Sequence, residues 1–76
     1  MSWVALESQM LSAVAYDDSK QILYVRFRGT GAVYRYFEFP PTNHRAFLDA
    51  ESKGRFFRFQ IRDHFRHERL AKLHVA

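Results

Sequence analysis

Two β-branched and aromatic runs stand on either side of a short glycine-bearing link. Residues 22–27 read ILYVRF and residues 32–39 read AVYRYFEF; RGTG joins the runs at residues 28–31, and Pro40-Pro41 follows. Residues of this kind suit a pleated, half-buried surface. The two glycines of the link allow a tight reversal. Proline ends the second run because it cannot donate to a ladder. An earlier run, MLSAVAY at residues 10–16, is set apart by DDSKQ, a polar break in which Asp17 and Asp18 favour a turn. Three strands with short links predict an antiparallel meander.

Side chains alternate along a strand, so Tyr34 and Tyr36 share one face and Arg35 takes the other. A two-residue turn at Thr30-Gly31 pairs Phe27 with Tyr34 and Val25 with Tyr36. Leu23, Val25, Phe27, Tyr34 and Tyr36 then make one apolar face, which favours this register over a three-residue turn. Tyr24, Arg26, Arg28, Val33, Arg35 and Phe37 fall on the other face. The same register sets Arg26 opposite Arg35, a like-charge pair that an acid or anion must relieve or that must splay into water. In the first strand, Leu11 and Val14 both call for burial at an odd spacing, which indicates a bulge.

The second half reads as helix. Pro41 or Thr42 opens the first helix, since proline fits a first turn. Ser52-Lys53-Gly54 closes it, with Gly54 suited to a left-handed cap. From Arg55 onward the chain has no Gly or Pro, and Phe57, Ile61 and Phe65 lie four apart, as one helical face requires. The expectation is a single α+β domain over residues 1–76: a three-stranded antiparallel meander followed by two helices packed on one face, in the order β-β-β-α-α.

A chain of 76 residues buries only roughly 60% of its unfolded surface. Eight Phe, four Tyr and one Trp supply large apolar faces for that core. Without cysteine, disulfides and thiolate metal sites are excluded. The N-terminal segment lacks the basic start and long apolar run of a secretory signal, and no stretch approaches a membrane span. The chain is expected to be cytoplasmic, with no membrane partner.

The formal charge is +4, from twelve basic and eight acidic residues. Seven of the basic residues and only two acidic ones fall within residues 53–76. Lopsided positive charge suits an anionic partner. Arginine outnumbers lysine nine to three, which favours planar, bidentate contacts to phosphate.

Ser8, Leu11, Val14 and Tyr16-Asp17 are followed by Leu23-x-Val25-x-Phe27 and Tyr34-x-Tyr36. Then come Pro40, Phe47, Ala50, Ser52-x-Gly54-x-Phe56-Phe57, Ile61-Arg62 and Phe65. This order and spacing, over about residues 3–66, resembles the KTSC domain, named for its place at the C-terminus of some lysyl-tRNA synthetases and also found as small stand-alone bacterial proteins. The synthetase association implies RNA binding. The chain departs from the usual pattern at Asn43, His44 and Arg58, and its tail after Arg66 reads as more helical.

If residues 55–70 are helical, Arg55, Arg58, Arg62, Arg66 and Arg69 recur at three or four residues and form one stripe. Such a stripe can follow a phosphate backbone, with Phe56 and Phe59 available for stacking if exposed. Arg26, Arg28 and Arg35 form a second patch on the sheet. His64 and His67 lie three apart but lack a third ligand, so no metal is expected; His44 reads as a core histidine. Ser52 follows a helix rather than a strand, which excludes a nucleophile elbow and leaves its hydroxyl to the local backbone. No cofactor motif and no set of nucleophile, base and stabiliser is visible. The expected function is a non-enzymatic binding module for RNA or another polyanion, through the arginine-rich helix. The alternative is a protein-interaction or homodimerisation domain using Tyr24, Val33 and Phe37 on the open sheet face.

Overall fold

The computed structural model describes residues 1–70, in which five strands form one antiparallel sheet. The strands are β1 (Val4–Ala5), β2 (Leu11–Asp17), β3 (Ile22–Phe27), β4 (Val33–Tyr36) and β5 (His67–Arg69), in spatial order β1-β2-β3-β4-β5. Between β4 and β5 run α1 (Pro41–Asp49) and α2 (Lys53–Phe56), the latter continuing into a π-helical turn, Phe57–Ile61. The three central strands are the expected meander. The expectation of only three strands is corrected by β1 and β5, one at each edge.

The meander keeps the predicted faces with a different register. Leu23 pairs with Tyr36, Tyr24 with Arg35, Val25 with Tyr34 and Arg26 with Val33. The turn is not the two residues Thr30-Gly31. Phe27 N–H donates to the Ala32 carbonyl and Gly31 N–H to the Phe27 carbonyl, leaving a four-residue link, residues 28–31. Gly31 adopts φ +71°, which glycine tolerates without strain. The register moves by two residues, so every side chain keeps its face. Arg26 no longer opposes Arg35, and the like-charge pair is avoided. The bulge in β2 is present, between Leu11 and Ala13.

Leu11, Val14, Leu23, Val25 and Tyr36 are buried on the inner face against Phe39, Phe47, Phe57 and Ile61. Phe57 stands edge-on to both Phe27 and Tyr36. Phe39 leaves the strand because Glu38 takes φ +52° and turns the chain inward. The expectation of a core histidine at His44 is corrected: the residue is only half-buried, its ring stacking on Tyr16 at 4.2 Å, while the Tyr16 hydroxyl donates to the Phe39 carbonyl.

Pro41 occupies the first turn of α1, as expected. Gly54 does not cap α1. That helix ends with Ala50 in an extended conformation, and Gly54 lies within the first turn of α2. Ser52 is the N-cap of α2, its hydroxyl accepting from Arg55 N–H at 3.2 Å. The helix expected over residues 55–70 stops after Ile61. Arg62 to His64 turn, Phe65 packs on Phe39 at 4.8 Å, and residues 67–69 pair with β4. An unpaired β4 edge would leave a row of backbone donors and acceptors open; β5 satisfies them, and that tertiary demand overrides the local helical pattern.

Candidate nucleic-acid interface

The change at Ile61 redistributes the arginines. Arg55 and Arg58 project from the second helix, into a polar concavity that also contains Glu7 and Glu51. Arg62 lies at the helix end and Arg69 on β5, both lining a groove on the inner side of the sheet. Arg66 lies on the opposite side, over the Phe37 ring at 4.4 Å. The single stripe of Arg55, Arg58, Arg62, Arg66 and Arg69 therefore does not form, because its spacing requires a helix that the chain does not make. Of the two aromatics expected beside it, Phe59 is 57% exposed and Phe56 stacks on Phe47.

The sheet patch also changes membership. Arg28 is spent on the fold: its Nε donates to the Ser8 carbonyl at 2.8 Å, and one Nη donates to the carbonyls of Leu6 (2.8 Å) and Leu11 (3.3 Å). Arg26 and Arg35 remain on the outer face. Both helices pack against the inner face, and no described helix crosses the outer one.

Two rows of side chains cross that outer face. The strand registers set Ala15, Tyr24, Arg35 and Glu68 in one row, and Ala5, Ala13, Arg26 and Val33 in the next. Trp3, one residue before β1, extends the first row beside Ala15. Trp3 is 47% exposed, with the Arg26 guanidinium 6.0 Å from its ring. Phe37 receives Arg35 at 5.3 Å as well as Arg66. Arg35 forms an ion pair with Glu68, and that carboxylate, with the Tyr24 oxygen beside it, raises its already high pKa. Its Nε is buried without a protein acceptor. The face thus carries Arg26, Arg35 and Arg66 against Glu68, with Trp3, Tyr24 and Phe37 between them.

Sequence reasoning did not single out Trp3 or Glu68, and weighed His67 only as a metal ligand beside His64. A lone Trp within the apolar stretch WVAL was the available sign of β1. For the placement of Glu68 and His67 there was no sign, since it follows from β5. Among the described residues no group of three or more His, Asp or Glu is placed to hold a metal ion, and no helix is long and apolar enough to cross a membrane.

The KTSC domain family matches residues 7–65 of the chain. The chain is 42% identical over 71 residues to an uncharacterized protein of Stutzerimonas stutzeri, covering 92% of this chain and 99% of that one. It is 32% identical over 65 residues to a lysine–tRNA ligase of Nostoc, covering 86% of this chain and 11% of the ligase. The crystal structure of a KTSC domain protein from Yersinia pestis superposes with a TM-score of 0.87 at 30% identity, covering 92% of this chain and 97% of that one.

Proposed function

Because the chain belongs to the KTSC domain family, we propose that it is a small cytoplasmic, non-enzymatic module that binds single-stranded RNA across its outer sheet face. The observation that carries this reading is the pairing of aromatic rings with arginines on a face without a helix: Arg26 with the exposed Trp3, and Arg35 and Arg66 with the half-buried Phe37. Bases stack on such rings while guanidinium groups hold the phosphates. The lysine–tRNA ligase of Nostoc, in which a related segment occurs, supports RNA over DNA.

Homodimerisation through the same face is less favourable. A two-fold interface sets a patch against its own copy. Here that would oppose three arginines and one glutamate to the same set. Like charges would face one another in a desolvated contact.

Fluorescence anisotropy with a short single-stranded RNA tests the reading. Affinity should fall with salt by about 0.7 log units per log unit of salt for each phosphate held. Arg26→Ala and Arg66→Ala should each reduce that slope and weaken binding without sequence preference. Salt-independent association, or RNA binding unchanged in the double variant, would contradict it.

A further inference from the structure

We propose that the groove on the helical side of the sheet, between the end of the second helix and β5, binds a nucleoside monophosphate. Phe27, Tyr34 and Tyr36 form its aromatic floor, and Arg62, His67 and Arg69 stand around it. Its volume is about 510 Å³, within the span typical of small-molecule sites.

The floor is held in place from below. Tyr34 meets Phe27 edge-on at 5.5 Å, and Tyr36 meets Phe57 edge-on at 5.6 Å. Tyr34 is only half-buried. His67 lies over this floor, 5.2 Å from Tyr36 and 6.1 Å from Tyr34. Tyr36 itself is almost wholly covered, so a planar base meets the preset ring of half-buried Tyr34 rather than a surface it must order, which lowers the entropic cost of binding.

The surrounding charge is positive. Arg62 faces only the adjacent Asp63, at 3.9 Å, with both side chains more than half exposed, so the pair is weak. Arg69 has no carboxylate partner among the described residues. Two guanidinium groups and an imidazole thus surround an aromatic floor, with one carboxylate against them. Burial pushes the Tyr36 phenol up to about 12, so it stays protonated and able to donate. Guanidinium forks fit a phosphate bidentately, and the floor fits a base. The hairpin residues Thr30 and Ala32 also line the groove.

The site is independent of the outer-face reading, because β5 directs His67 and Arg69 to one side of the sheet and Glu68 to the other. Calorimetric titration with AMP, adenosine and inorganic phosphate tests it. AMP should bind with a Kd at or below about 1 mM, and at least about tenfold more tightly than either half. An Arg62→Ala/Arg69→Ala double variant should lose at least about tenfold in AMP affinity while its RNA binding through the outer face is retained. If that variant fails to fold, Tyr34→Leu serves instead, and should weaken AMP more than phosphate. AMP binding no tighter than phosphate, or a folded double variant that holds AMP as the parent does, would overturn the proposal.

Discussion

At Arg28 one guanidinium draws three separate backbone carbonyls together: those of Leu6, Ser8 and Leu11. It ties the hairpin turn to the segment leading from β1 into β2. Hydrogen bonds from a charged donor contribute more than neutral ones, although partial exposure reduces the value here. Arg28→Ala should destabilise the fold by about 1–2 kcal/mol in urea unfolding. Arg28→Lys should recover little, because an ammonium cannot reproduce the planar fork. Full stability in Arg28→Ala would return this residue to the surface patch. His44 provides a second test at this scale. Burial against Tyr16 favours its neutral form and lowers its pKa, and Asp18 offsets this only in part. The unfolded chain then takes up the proton first as pH falls. Stability should be fully present above the unfolded value of about 6.5 and decline as pH drops through the lower folded value. An NMR titration midpoint for His44 at or above the ordinary histidine value would contradict this.

The elements differ in how far local sequence determines them. The meander was legible because alternation and turn chemistry agree within it, and parity protected the face assignment when the register moved by two residues. Leu23, Val25 and Tyr36 are buried as the alternation demanded. The tail was not legible. Residues 55–70 carry a helical spacing throughout, yet the final part serves the open edge of β4. That demand arises from residues more than thirty positions away, and no local pattern records it. α2 itself depends on local chemistry. Ser52→Ala removes the cap on Arg55 N–H and should cost about 1 kcal/mol. Gly54 has a negative φ, and a Cβ there would meet Ser8 Oγ at 3.5 Å and Met10 Cβ at 3.6 Å, both ordinary contacts. Gly54→Ala should therefore stabilise the protein by about 0.5–1 kcal/mol. Thermal unfolding of the two variants, shifting in opposite directions, checks both expectations.

For the whole molecule, the sheet separates two chemically distinct sides. The inner side holds the core and, beyond the helix end, the aromatic groove. The outer side holds arginines interleaved with Trp3, Tyr24 and Phe37. The candidate site was legible in part. Positive charge and the outward direction of Arg26 and Arg35 could be read from composition and alternation. The grouping of Arg66 with Phe37, the loss of Arg28 to the fold and the Arg35–Glu68 pair could not, since each depends on contacts between distant segments. The most direct measurement is an amide and side-chain NMR titration with a short single-stranded RNA at low salt. The largest shifts should fall on Trp3, Tyr24, Arg26, Arg35, Phe37 and Arg66, and collapse as salt is raised. Shifts confined to Arg55, Arg58 and Phe59 on the helix, or none at all, would contradict RNA binding by the outer sheet face.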